Sequence, residues 1–364
     1  MTSDPGLAGW LQLTLTPGLG AATLRGLLQK FGLPENVLAA RRAELARHTG
    51  AEVLQALDSA AVAAAVARAL AWLALPGHSI VTLADATYPR LLLEIPDPPA
   101  LLYCRGRAEL LGRPALAVVG SRNATAQGAS NAEQFARAFS AAGLTIISGL
   151  AQGIDAAAHR GGLAADASTI AVLGTGVDNV YPKANAALAE DIAARGLLVS
   201  EFPLGTQALA HNFPRRNRLI SGLAQGCLVI EAALGSGSLI TARSAAEQGR
   251  EVFAVPGSIH SPLSKGCHAL IKSGAKLAES AEDVLSELAS FRRTGFASTR
   301  APAAARAAGA DEPLLECMGF DPVDVDSLCA RAGLPAERVS TDLLRLELAG
   351  RVAVLPGGLY QRLN

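Results

Sequence analysis

The chain has 364 residues, half of them hydrophobic, with 32 basic and 32 acidic side chains. That length allows two or three domains around a large core. Zero net charge excludes a protein that is basic all over but not a local basic patch, and no apolar run approaches the roughly 18 residues of a transmembrane helix.

The start, MTSDPGLAGW, lacks the basic and apolar blocks of a signal peptide. A cytoplasmic protein without membrane insertion is the expectation. Residues 1–75 read as a helical domain, with helical periodicity from Glu52 to Leu75. Pro17-Gly18-Leu19-Gly20 forms a turn between two helices. It resembles a helix–hairpin–helix turn, whose glycines expose backbone N–H groups to a phosphate. A plain helix–helix turn, or a protein-contact module built on it, is the other reading. Residues 76–110 bridge to the next domain. The prolines of YPRLLLEIPDPPALLYCRG exclude a long helix there, and ALLYCRG predicts a strand.

Residues 111–290 keep one rhythm: an apolar strand, a glycine-bearing loop, then a helical stretch. LAVVG, TIISG, TIAVLG, LLVSEFP, CLVIEA and EVFAVPG are the successive strands. Fully apolar strands predict a parallel sheet covered on both faces, hence an α/β domain. Helices are predicted at 127–142, 153–165, 185–195, 212–224 and 238–249, and the binding loops at the carboxyl ends of the strands.

Those loops carry Gly, Ser, Arg, Lys and Asn. Gly120-Ser121-Arg122 offers close backbone approach, a hydroxyl and a forked cation, which suits phosphate; a tight turn with a solvated Arg is the alternative. Gly149 and Gly174 follow the next two strands, without the full dinucleotide fingerprint G-x-G-x-x-G. Tyr181-Pro182-Lys183 places a cation beside an aromatic that either stacks on a base or packs. Phe213-Pro214-Arg215-Arg216-Asn217-Arg218 crowds cations at a helix start, where the dipole disfavours them. An anion would join them; a salt-bridged interdomain seam is the alternative. Gly235-Ser236-Gly237-Ser238 is a small-residue nest with spare N–H groups and hydroxyls.

A linker is expected at 291–309, rich in Ala, Arg, Pro and Gly. Residues 310–364 then give three helical segments and a hairpin turning at Pro356-Gly357-Gly358, the order of a winged helix. The third helix balances Glu337, Asp342 and Glu347 against Arg338, Arg345 and Arg351, so protein contact competes with DNA readout.

No catalytic constellation is evident. Cys104, Cys227, Cys267, Cys317 and Cys329 contain no C-x-x-C pair, and no two histidines stand at H-x-x-x-H spacing. No metal site is expected.

VVGSR, ISGLAQGID, AVLGTGVD, FPRRNRLISGL, SGSLITARSAAEQGREVFAVPG and SKGCHALIKSGA together resemble the DNA-processing protein A (DprA, or Smf) family in order and spacing. The resemblance implies a Rossmann-like parallel sheet flanked by an N-terminal helical domain, SAM-like or helix–hairpin–helix, and a C-terminal winged helix. It implies a protein that is not an enzyme and uses no cofactor. Its role would be to bind single-stranded DNA without sequence preference, protect it and load RecA recombinase onto it in natural transformation and recombination. It also implies a homodimer through the Rossmann-like domain, with other competence or single-strand-binding proteins as candidate partners. The implied DNA contacts are Arg122 and Lys183 first, then Gly120, Ser121, Gly149, Gly174, Arg216, Asn217, Gly237 and Ser238. A nucleotide hydrolase of the phosphoribohydrolase type is a rival reading, but Ser244 stands where its catalytic Glu would be. A sequence-specific regulator and a scaffold joining DNA uptake to recombination are the others.

Overall fold

The computed structural model describes residues 5–292 and 313–363. Most of the expected linker lies outside them. The N-terminal segment forms α1 (Pro5–Leu15), α2 (Ala21–Phe31), α3 (Pro34–Ala39), α4 (Arg42–Leu45), α5 (Ala51–Leu57) and α6 (Ala60–Leu73). The expected hairpin separates α1 from α2, with Gly18 at φ +81°. The helical periodicity expected over 52–75 is divided between two helices, α5 and α6. Ser59 leaves helical geometry at ψ 147° and caps α6, its Oγ accepting from Val62 N at 3.3 Å. A serine cap competes with helix continuation, and periodicity does not register that.

The bridge contributes β1 (His78–Thr82), the single turn α7 (Arg90–Leu93) and β2 (Leu101–Gly106). Next come β3 (Ala115–Val119), α8 (Ala126–Ala141), β4 (Thr145–Ser148), α9 (Ile154–Gly162), β5 (Thr169–Val172), α10 (Ala186–Arg195) and β6 (Leu197–Ser200). The domain closes with α11 (Asn212–Gly222), β7 (Gly226–Val229), α12 (Ser238–Glu247), β8 (Glu251–Ala254), α13 (Lys265–Lys272), β9 (Lys276–Leu277) and α14 (Ala281–Arg292). The sheet order is β1-β2-β6-β5-β4-β3-β7-β8-β9. From β6 to β9 every pairing is parallel, while β1 and β2 add an antiparallel edge.

Both faces are covered, as the apolar strands require. Along β3, Ala115, Ala117 and Val119 enter one core while Leu116 and Val118 enter the other. Trp10, Leu11 and Leu13 of α1 share a third core with Leu101, Tyr103 and Leu198 of the sheet. The N-terminal helices are therefore joined to the sheet by a common apolar layer. Cys104, Cys227 and Cys267 are buried free thiols within the sheet domain. Strand order runs outward in opposite senses from β3, toward β4 on one side and β7 on the other. That reversal is a topological switch point, where doubly wound sheets open a crevice.

The C-terminal unit has α15 (Pro313–Met318), β10 (Val323–Asp324), α16 (Val325–Ala332), α17 (Ala336–Leu348), β11 (Val352–Leu355) and β12 (Leu359–Arg362). The helices pack on their own core of Leu315, Leu328, Val339 and Leu343. The short β10 pairs with the hairpin, completing a winged helix. Among the described residues no single helix is long and apolar enough to cross a membrane.

Candidate nucleic-acid interface

A cavity of about 450 Å³ opens at the switch point. The loop after β3 supplies Gly120, Ser121 and Arg122; the start of α11 supplies Phe213, Arg216 and Asn217; and the nest before α12 supplies Gly235 to Ser238.

The floor is a buried polar frame. Arg216 is 5 % exposed and donates through Nη1 to Gly149 O at 2.6 Å and to Val172 O. Its Nε donates to Asn217 Oδ1 at 3.1 Å. Burial lowers its guanidinium to about 10, with Asp155 pulling the other way. Asp155 is buried alongside, accepting from Gly149 N at 3.1 Å and Ala151 N at 3.3 Å. Burial raises its carboxyl above the usual range, opposed first by Arg216. Beneath them His159 Nε2 accepts from Leu150 N at 3.3 Å, which leaves the proton on Nδ1 to donate to Thr169 Oγ1 at 2.7 Å. Burial, then Arg216, pushes this imidazole down to about 3, so it is neutral at physiological pH. The frame fixes the loop between β4 and α9, and Asn185 ties the same loop from outside by donating to Leu150 O and Ala151 O.

Above the frame lies an exposed layer. Arg122 is exposed, forms no ion pair among the described residues and sits 5.9 Å from the Phe213 ring centre. Tyr181 is 50 % exposed, with its ring 5.6 Å from that of Phe213 and tilted 45°. Tyr181 thus both packs and keeps a face open. Lys183 is exposed on a short 3₁₀ turn that follows the cis Tyr181–Pro182 bond. On the far side, Ser238 N and Ser238 Oγ both meet Ser236 Oγ, while Leu239 N and Ile240 N donate to Ser236 O and Gly237 O. The N–H groups of Gly235 and Gly237 in the nest have no hydrogen bond among the described residues and can meet an anion.

The glycines fall into two classes. A Cβ on Gly149 would lie 2.5 Å from the Arg216 guanidinium, and one on Gly174 2.8 Å from the Phe213 ring. Both were expected to contact DNA, but neither lines the cavity: they seat the residues that do. Lys183 also lies outside the cavity wall, beyond Tyr181 along the chain. Gly120 lines it, yet its missing side chain first makes room for Ile154, 2.6 Å from a built Cβ. Gly235 and Gly237 have open space and ordinary φ, so the fold does not require glycine at either.

The three arginines of FPRRNR do not all await an anion. Arg218 donates to Glu201 Oε2 and lies 3.4 Å from Asp97 Oδ2, while Arg216 is held by carbonyls. Only Arg215 remains half-exposed, 3.8 Å from Glu201. A buried carboxylate just after β6, Glu201, outcompetes solvent for Arg218, which makes this the salt-bridged seam of the alternative reading. Phe213 is the member that residue reasoning passed over. Its signal was an aromatic set among cations, the pattern of single-strand binders.

The family model described as DNA recombination-mediator protein A matches residues 79–289, and the DprA winged helix domain matches 298–358. Protein Smf of Escherichia coli is 45% identical over 81% of this chain and 80% of its own length. DNA processing protein DprA of Streptococcus pneumoniae is 50% identical over 58% of this chain and 74% of its own length. An X-ray structure of DprA from S. pneumoniae superposes with TM-score 0.67 at 39% identity, covering 79% of this chain and 99% of that one. A structure of DNA processing protein A from Helicobacter pylori, described for its single-stranded DNA binding mode, matches with TM-score 0.53 at 28% identity over 58% of this chain and 97% of that one.

Proposed function

We propose that this chain, which belongs to the DNA recombination-mediator protein A family, binds single-stranded DNA in the switch-point cavity without reading its sequence. The observation that carries this is the exposed layer: an unpaired Arg122 over Phe213 and the Gly235–Ser238 nest around one cleft, with a half-open Tyr181 beside Phe213. Cations and N–H groups meet phosphates, and aromatic faces meet any base. None of these discriminates one base from another. The relatives whose names and structures concern DNA processing and single-stranded DNA support the same reading.

The protein acts in the cytoplasm as a homodimer, joined through the Rossmann-like domain, and hands the strand to RecA recombinase. It does so in recombination and natural transformation. It is no enzyme in this reading. Asp155, the carboxylate that lines the cavity, is spent on backbone N–H groups of its own loop. The test is fluorescence anisotropy with single- and double-stranded oligonucleotides at two salt concentrations, followed by RecA filament formation on strands coated with single-strand-binding protein. Tighter binding of single strands with a steep salt dependence, and faster filament formation, are expected. Equal binding of duplex, or no effect on RecA, rejects the corresponding half.

A further inference from the structure

Glu231 stands just past the end of β7, at the root of the loop that runs to the Gly235–Ser238 nest. It does not line the switch-point cavity. Its carboxylate reaches instead to the neighbouring loop, the one after β3. There Oε2 accepts from Thr125 N at 3.0 Å and Oε1 from Thr125 Oγ1 at 2.5 Å. Thr125 in turn caps α8, its Oγ1 accepting from Gly128 N at 2.9 Å.

The backbone beside Glu231 holds the other end of that loop. Ile230 N donates to Val119 O at 3.1 Å, and Glu231 O would lie 2.9 Å from a Cβ built on Gly120. Glu231 therefore touches both ends of the segment 120–125, which carries Arg122 at its exposed bend. One residue roots the nest loop and clasps the Arg122 loop.

A second observation points to the same tie. A Cβ on Gly128 would fall on the Glu231 carboxylate. Gly128 lies within α8, where alanine is ordinarily the better helix former. Glycine there leaves the carboxylate its place. A negative charge between two loops that are to grip phosphates opposes the binding it adjoins. What this one offers is geometry. Without it the loop keeps the bond from Ile154 N to Ser121 O at 3.1 Å, but its far end is released. A strand that engages both loops would then have to order that end first, at a cost in affinity.

We propose that Glu231 is a positioning residue that holds Arg122 and the Gly235–Ser238 nest at a fixed separation, so that one strand engages both. It touches no DNA itself. The proposal rests on the single-strand reading above and adds how two of its loops act as one.

The test is anisotropy with oligo(dT) across a range of salt concentrations on the full chain, with thermal melts alongside. It compares wild type, Glu231→Ala, Glu231→Gln, Gly128→Ala, Arg122→Ala and the double variant Arg122→Ala/Glu231→Ala. Glu231→Ala is expected to lose about fivefold at about 0.1 M salt and to flatten the salt slope by about 0.7, as loss of one phosphate contact does. In the Arg122→Ala background the same change should cost less than about twofold, because the cation it positions is gone. Glutamine should keep wild-type affinity, since its Oε1 can accept from Thr125 N while its Nε2 donates to Thr125 Oγ1. Gly128→Ala displaces the carboxylate with Glu231 intact and should reproduce the flattened slope.

Wild-type binding by Glu231→Ala, or a glutamine variant as weak as alanine, overturns the proposal. So does an equal loss with and without Arg122, or a lower melting temperature with an unchanged slope, since either marks a general effect on the fold. If Glu231→Ala does not fold, Gly128→Ala decides by the same readings. Wild type that binds no single strand overturns the parent reading and this one with it, whereas every variant result above leaves the parent standing.

Discussion

Arg122→Ala separates the exposed contact layer from the frame beneath it. The guanidinium is exposed, forms no ion pair among the described residues and sits over Phe213. Its removal leaves no buried partner stranded, so stability should move by no more than about 0.5 kcal/mol. Binding should lose one phosphate contact. For single strands each contact contributes about 0.7 to the slope of log affinity against log salt. Relative to 1 M, that term at 0.1 M is worth about fivefold, or ~1 kcal/mol. Anisotropy titrations of oligo(dT) and a mixed-sequence oligonucleotide across 0.05 to about 0.5 M salt measure it. The slope should flatten by about 0.7 for both sequences, and the variant should approach wild type as salt rises. A loss independent of salt, a loss confined to one sequence or a fall of several degrees in melting temperature would refute the assignment.

Gly237→Ala should fold as wild type, since a Cβ there meets open space, yet weaken single-strand binding by crowding the nest. Gly149→Ala should destabilise the fold instead, because its Cβ would strike the Arg216 guanidinium at 2.5 Å; thermal melts and anisotropy on both variants tell the two effects apart. His159 gives a pH signature. Its folded imidazole resists protonation down to about 3 while the unfolded one titrates near 6.5, so stability is full above 6.5 and falls as acid protonates the unfolded chain. Urea melts at pH 7 and 5 should differ by about 2 kcal/mol more in wild type than in His159→Gln; equal differences would show that the imidazole does not resist protonation. Arg338 and Arg345 of α17 both lean on Asp342, at 3.1 and 3.6 Å. Replacing both with alanine should leave duplex affinity unchanged in a gel shift, and a clear loss would return DNA readout to the winged helix.

The sheet was legible because its strands are buried on both faces, and continuous apolar runs such as LAVVG have no other stable use. The helices between them fell within a few residues of their expected positions, since glycine and the next strand bound each one. What escaped was what depends on distant chain. FPRRNR leaves an anion site and a salt-bridged seam both open, because Glu201 and Asp97, which engage Arg218, come from the end of β6 and from the bridge. Gly149 and Gly174 look like ligand contacts because nothing local reveals that Arg216 and Phe213 occupy their missing side chains. The break at Ser59 escaped for a local reason: alanine-rich flanks keep the periodicity on both sides of a cap.

The division of the site into two layers also bears on its lack of sequence preference. Asp155, Arg216 and His159 spend their hydrogen bonds on the backbone and side chains of the central sheet, its loops and α11, so they hold shape and offer a strand little. Arg122, Phe213, Tyr181 and the Gly235–Ser238 nest keep open charge, ring faces and N–H groups, which are features common to every nucleotide. A base-reading site needs the reverse: side-chain amides or forked cations locked at fixed angles to a base edge. Asn217 has that chemistry, but its Oδ1 accepts from Arg216 and its Nδ2 reaches Gly237 O at 3.4 Å. Of the two amides that line the cavity, Asn217 is thus turned inward, while Asn123 is exposed and has no side-chain hydrogen bond among the described residues to lock it at a base edge; what faces the strand grips it by backbone and stacking.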